Sequence, residues 1–246
     1  MPDCQWVEKV FSLCIESGKN AQNVSEERKE GQILKRKRQG LMLAVCGLLF
    51  AGLALVFGAM RPFVSQVDGI REQVLRLHVV ANSNERSDQE LKLAARDAVL
   101  EEARELFSSA LDADEAKNIA LKEKERLEAA AKGALEAAGC NDEVEILVTE
   151  MFFSKRVYED GTTLPAGNYQ AVRVVIGSGE GKNWWCLLFP KICLSATSKE
   201  ENKTALGSVL NETQCDILTN SEKYQVRLFL YDTVMELYHR LFGEEK

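Results

Sequence analysis

Leu41 to Met60, LMLAVCGLLFAGLALVFGAM, carries no charged residue in 20 positions. As a helix rising ~1.5 Å per residue it reaches about 30 Å, the thickness of a bilayer's hydrocarbon core. The basic cluster KRKR, Lys35 to Arg38, stands just before it. Basic residues stay on the cytoplasmic side, so the N-terminus is expected inside and residues 62–246 outside. The run exceeds the ~7–15 residues of a signal-peptide core, which favours an uncleaved anchor. Gly58-Ala59-Met60 offers a small-residue cleavage site, so a removed leader stays open as the alternative. Anchor or leader, the body is exported.

Residues 1–40 read as a cytoplasmic segment or as a product of a mis-assigned start. Trp6, Val10, Phe11 and Cys14 could line one helical face, as in a helix lying at a membrane surface. The other reading starts translation at Val24 or Leu34, the latter leaving the short basic leader LKRKRQG.

Charge is unevenly placed along the chain. The formal total is −7, yet residues 1–40 hold eight Lys/Arg against six Asp/Glu. Setting Arg61 aside, residues 62–246 keep 22 basic and 32 acidic residues, a net of −10. An acidic body is a poor fit for nucleic acid, whose phosphates favour a basic face. The 46% hydrophobic content suffices for a packed core.

Residues 61–73 read as a short polar tether, followed by one domain over 74–242. Val74 to Ala81 is a strand by its β-branched and aliphatic content, and Asn82-Ser83-Asn84 a turn. Ser87 three residues before Glu90 suggests a capping box opening a helix whose inner stripe is Leu91, Ala95, Val99, Ala103 and Phe107. Gln89, Lys92, Arg96 and Asp97 lie on its other face. A second helix runs from Asp114 to Ala138, capped by the Asp112/Glu115 pair and stopped by Gly139. From Val144 the period becomes two. Glu159-Asp160-Gly161 suits a hairpin turn, Tyr169–Ile176 and Trp184–Phe189 are further strands, and Pro190 ends the last. Residues 195–221 are a polar connection with room for a short helix. Tyr224–Phe242 places Val226, Phe229, Leu230, Val234, Leu237 and Leu241 at helical spacing. The order β-α-α-β-β-β-β-α implies an α+β fold with a mainly antiparallel sheet and helices packed on one face.

Candidate chemistry is sparse. Gly177-Ser178-Gly179-Glu180-Gly181-Lys182-Asn183 is not a phosphate loop, which would end in Gly-Lys-Ser/Thr before a helix, whereas this one enters a strand. Cys186 and Cys193 flank Pro190 and could meet across that bend as a disulfide, which persists outside the cytoplasm. Two buried thiols are the other reading. The seven-residue spacing does not suit a zinc knuckle, and no metal is expected. A cysteine hydrolase or transpeptidase acting on the cell wall would need Cys186 beside a histidine, and His78 is the candidate. No pair of carboxylates stands out as an acid/base couple. Asn82, Ser83 and Asn84, at the mouth of a strand-to-helix turn, could present backbone N–H groups and small polar side chains to a partner. A plain turn serves equally.

RLHVVANSNERSDQELKLAARDAVL, Arg76 to Leu100, and GNYQAVRVVIGSGEGKNWWCLLFPKIC, Gly167 to Cys193, resemble the two signature stretches of the stage II sporulation protein R family, in the same order and behind an apolar segment. The resemblance covers roughly residues 70–242. It implies an exported signal of endospore formation. Such a protein is made in the forespore and works in the space between forespore and mother-cell membranes. It is required there to activate a membrane-embedded aspartic peptidase that processes the precursor of sigma factor E. On that reading the chain is not an enzyme, needs no cofactor or small-molecule substrate, and touches the membrane through residues 41–60. Its partner-binding surface would draw on Asn82, Ser83, Asn84, Gln89, Lys92 and Arg96 and on whichever of Trp184 and Trp185 faces solvent.

Overall fold

The computed structural model describes residues 4–190 and 199–243, with side chains from residue 35 onward except for 199–202. Contacts divide the chain into residues 1–59 and residues 60–246. Helix α1 runs from Cys4 to Glu72. Its stretch Lys35–Glu72 is long and apolar enough to cross a membrane. Leu43, Leu48, Phe50 and Leu55 point away from any protein core, as a lipid-facing helix requires. The face expected at Trp6, Val10, Phe11 and Cys14 lies outside the described side chains.

Residues 61–73 are not a tether. The helix continues to Glu72, and Phe63, Val67 and Ile70 are buried in the folded unit. Their i, i+4, i+7 spacing puts them on one helical face, a signal hidden by the polar residues between them.

In the second unit, strand β1 (Leu75–Val80) leads to helices α2 (Arg86–Leu106), α3 (Ala113–Lys122) and α4 (Lys124–Ala137). Strand β2 (Val144–Phe153) follows, then the small hairpin β3 (Arg156–Val157) and β4 (Thr163–Leu164), then β5 (Gly167–Ile176) and β6 (Asn183–Phe189). Helices α5 (Lys199–Leu206), α6 (Glu212–Thr219) and α7 (Gln225–Phe242) close the chain. The main sheet has the order β2-β5-β1-β6. Its outer junctions β2–β5 and β1–β6 are antiparallel, and β5–β1 at the centre is parallel. The fold is therefore α+β with a mainly antiparallel sheet. The β3–β4 turn falls at the expected Asp160-Gly161, where Gly161 takes φ +84° and the Asp160 carboxylate accepts from the Thr162 N–H and hydroxyl.

Helices cover both sheet faces rather than one. Strand residues alternate, so Leu75, Leu77, Val79, Val172, Val174 and Cys186 meet α2, α3 and α4 through Ala95, Val99, Ala116, Leu127 and Leu135, with Phe107 just past the end of α2. Tyr169, Ala171 and Leu187 point the other way, toward the end of α1, the β3–β4 hairpin and α5–α7. The expected second helix is two, parted at Glu123 (φ −104°, ψ 25°). Its N-cap holds as read, Asp112 accepting from the Glu115 N–H at 2.8 Å. The Ser87 capping box does not form. Helix α2 begins earlier, after Glu85, without a side-chain cap.

Helix α7 lies where the spacing puts it. Its apolar stripe faces solvent. Val226, Phe229, Leu230, Val234, Leu237 and Leu241 are exposed, while Leu228, Tyr231 and Asp232 are buried. Periodicity located the apolar stripe and could not say which surface it meets.

Candidate functional site

The turn after β1, the start of α2 and the glycine-rich loop between β5 and β6 form one knot. The β1–β6 register brings Val80 beside Asn183, which carries the loop over the 82–84 turn. Asn82 is its centre. Its Oδ1 accepts from the Ser178 N–H at 2.9 Å, its carbonyl accepts from the Ser178 hydroxyl at 2.8 Å and the Glu180 N–H at 3.1 Å, and its Nδ2 donates to Asp88 at 3.0 Å. The Gly181 N–H adds a bond to the Ala81 carbonyl at 2.9 Å. A Cβ on Gly181 would collide with the Ser83 carbonyl oxygen, and one on Gly177 with the Asn82 side chain. These approaches, with Gly177 at φ +57°, explain the loop's glycines without any phosphate.

The helix face takes part as well. Gln89 donates from Nε2 to the Ser83 carbonyl at 2.8 Å. Lys92 donates to Gln89 Oε1 at 2.7 Å and to the Lys182 carbonyl at 3.0 Å, and keeps only 5% of its surface exposed. Burial lowers its pKa, with the Arg96 and Lys182 cations adding to the effect. Arg96 lays its guanidinium 4.3 Å from the centre of the Trp184 ring. Five of the expected recognition residues (Asn82, Ser83, Gln89, Lys92 and Arg96), with Trp184, thus gather around the 82–84 turn, the start of α2 and the loop into β6. Ser83, Gln89 and Lys92 are linked by hydrogen bonds, Asn82 is tied to the loop, and Arg96 is set against Trp184. Asn84 stands exposed beside them, with Glu85 and Arg86.

Trp185 lies on the opposite sheet face, away from that knot. It stacks on His78 with ring centres 5.9 Å apart, and Arg156 sits 5.2 Å above it. Both tryptophans are half-buried, so neither is the fully exposed one expected from alternation. The His78 Nε2 is 2.8 Å from Asn183 Oδ1. Burial holds the His78 pKa down at about 4, opposed in part by that Asn183 bond and reinforced by the Arg173 and Arg76 charges.

Cys186 does not join His78. Residue 186 pairs with Leu77 and shares its face, toward α2–α4, whereas His78 pairs with Trp185 on the other side. Alternation along the strand separates the two side chains through the thickness of the sheet. Cys193 lies outside the described residues, and the expected disulfide with it. Among the described residues no group of three or more His, Cys, Asp or Glu side chains is placed to hold a metal.

Sequence reading missed Arg76. Its side chain is buried, with the guanidinium 3.9 Å from the Phe153 ring centre, 4.9 Å from that of Tyr169 and 3.4 Å from the Tyr158 hydroxyl. The signal was available, since Arg76 and His78 alternate with Leu75, Leu77 and Val79 and so must share a face.

A family model described as stage II sporulation protein R matches residues 71–199. That span holds β1 through β6, and with them the whole knot around Asn82. The chain belongs to the stage II sporulation protein R family. The relative of that name from Bacillus subtilis (strain 168) is 28% identical over 187 residues, covering 69% of this chain and 83% of its own. No solved structure matches. Family membership gives the chain a role in sporulation.

Proposed function

We propose that this protein is an exported signal of endospore formation. It is made in the forespore and held by or released from residues 41–60. With its N-terminus cytoplasmic, it displays residues 60–246 in the space between forespore and mother-cell membranes. It acts by binding, and its partner is the membrane-embedded aspartic peptidase that processes pro-sigma-E. It performs no catalysis of its own.

Family membership is the observation that carries this reading. The apolar stretch of α1 supports export or anchoring. The placement of Cys186 and His78 on opposite faces of the sheet speaks against the rival cysteine hydrolase.

The knot built on Asn82 suits a recognition surface. Its internal bonds fix the backbone before any partner arrives, so little ordering entropy is lost on binding. The exposed groups it presents include Asn84, Glu85, Arg86, Ser178, Glu180 and Lys182. The test is co-production of the full chain, the peptidase and pro-sigma-E in a non-sporulating cell. Cleavage of the precursor should require all three, and cleavage that proceeds without this chain would overturn the reading.

A further inference from the structure

Strand β2 forms one edge of the main sheet, opposite the edge at β6 that the knot's loop enters. Among the described residues it has β5 on one side and no strand on the other. Its residues keep unbroken register with β5 and include no proline or lysine of the kind that shields an exposed edge. The Gly177 N–H donates to the Glu143 carbonyl at 2.8 Å, so 143 and 177 are a hydrogen-bonded pair. Such pairs alternate along an antiparallel ladder. Residues 145, 147, 149 and 151 are therefore tied to β5, and the main-chain groups of 146, 148, 150 and 152 turn outward. Leu147 to Phe152 line an open groove of about 860 Å³ along this edge, with Asn168 and Arg173 from β5 and His239 from α7.

Arg173 gives the groove a charge to satisfy. It is half-buried, its Nε has no partner, and among the described residues it makes no hydrogen bond or ion pair. Other half-buried arginines hold a carboxylate, Arg71 with Asp68 and Arg96 with Asp97. Behind Arg173 on the same sheet face lies Arg76, only 1% exposed, with Nε and Nη1 also unpartnered. Both cations act on His78, which pairs with Arg173 in the register. Two cations withdrawn from water on one face without an acid are costly to keep. Glu150 does not answer them, since it points to the other face and binds Gln170 at 3.3 Å.

We propose that the open edge of β2 takes up an extended acidic segment of a partner protein as a further strand, with a carboxylate of that segment on Arg173. The outward main-chain groups supply the ladder, as in other cases of strand addition, and Arg173 selects the charge. The added strand lies two strand spacings from β5, roughly 9–10 Å, a gap that an arginine and a glutamate side chain bridge above Leu147. A second copy of this chain fits less well. Its β2, set antiparallel over the whole strand with its outward groups meeting those of the first, brings Thr149 or Met151 beside Leu147, and neither carries a charge.

The test needs neither the peptidase nor sigma-factor processing. The full chain in detergent micelles is titrated against a fluorescein-labelled peptide that alternates Thr and Val and carries one central Glu, and binding is read by fluorescence anisotropy. The Glu peptide should bind. Changing its Glu to Gln should weaken binding about tenfold, the worth of one charge-assisted hydrogen bond. Arg173→Gln in the protein should do the same, with an unchanged circular dichroism spectrum, and should bind the Glu and Gln peptides alike. N-methylation of alternate amides in the Glu peptide removes its ladder donors without touching the protein and should abolish binding. No binding of the Glu peptide at millimolar concentration overturns the proposal. So does equal binding of the Glu and Gln peptides by the wild type, which would leave Arg173 without a role, or binding that survives N-methylation, which would rule out an added strand.

Discussion

Lys92 donates its ammonium to the main-chain carbonyl of Lys182 at 3.0 Å, joining positions 90 residues apart. One side chain on α2 thereby holds the loop that enters β6, and with it the strand bearing both tryptophans. Replacing Lys92 by Met keeps the stem's length and removes the donor. The Lys182 carbonyl and the Gln89 side chain then lose their partner, a change worth about 1–3 kcal/mol. The melting temperature of the full chain, followed by tryptophan fluorescence, should fall by about 2–4 °C per kcal/mol. An unchanged melting temperature would show that Lys92 is not a staple.

Two glycines should respond in opposite directions to the same substitution. At Gly181 an added methyl meets the Ser83 carbonyl oxygen and lies 2.8 Å from both the Ala81 Cβ and carbonyl oxygen, all firmly placed atoms. Gly181→Ala should destabilise by about 2–4 kcal/mol and loosen the knot. Gly133, inside α4, has nothing within 4 Å of the position its Cβ would take. Gly133→Ala should stabilise by about 0.5–1 kcal/mol through the lost freedom of the unfolded chain. Urea denaturation of the two chains reads both signs.

Local signals were legible in the sequence wherever the chemistry was local. Strand alternation at 169–176, the Asp112 cap and the Asp160-Gly161 turn depend on neighbours within a few residues, and each is found where those residues put it. What the sequence hid was partnership. Phe63, Val67 and Ile70 mark a helical face, yet nothing nearby shows that α6 and α7 cover it. The α7 stripe looks like a core face because periodicity reports apolar character and not its destination. Asn82, Lys92 and Arg96 were singled out as partner-facing from their place on a turn and a helix. The structure brings them together because β1 and β6 are adjacent, a pairing that only the sheet order reveals.

His78 supplies a dependence on pH. Its pKa in the folded chain is held at about 4, below the ordinary 6.5, by burial together with the nearby Arg173 and Arg76 charges. Between these values the unfolded chain binds the extra proton, so the His78 contribution to stability is constant above pH 6.5 and falls as pH drops toward 4. The loss amounts to about 3 kcal/mol when complete, at ~1.4 kcal/mol per unit. Trp185 and Phe153 enclose the ring, and Asn183 is its hydrogen-bond partner. A His78→Gln chain cannot take up this proton. The difference between the two chains' unfolding free energies should therefore shift across this window and level off on either side, whatever the carboxylates contribute to each curve. A difference independent of pH would show that His78 titrates normally.

Cys186 separates a ligand from an enzyme. The side chain is fully buried between the sheet and α2–α4, turned from His78 by strand alternation. A nucleophile needs its sulfur open to substrate and an activating base, whereas this sulfur is buried and His78, the candidate base, lies on the other face of the sheet. Cys186→Ala should cost roughly 1 kcal/mol of stability through lost packing, near the middle of the range for single substitutions. Pro-sigma-E cleavage in the co-production cell should stay within about twofold of wild type, since a change of that size leaves most chains folded at the usual ~5–15 kcal/mol of total stability. Ser in place of Ala adds a hydroxyl to the same apolar pocket and should lower stability further while leaving cleavage intact. If either chain folds normally by circular dichroism and yet supports no cleavage, the thiol does chemistry, and the protein is an enzyme that this geometry fails to explain.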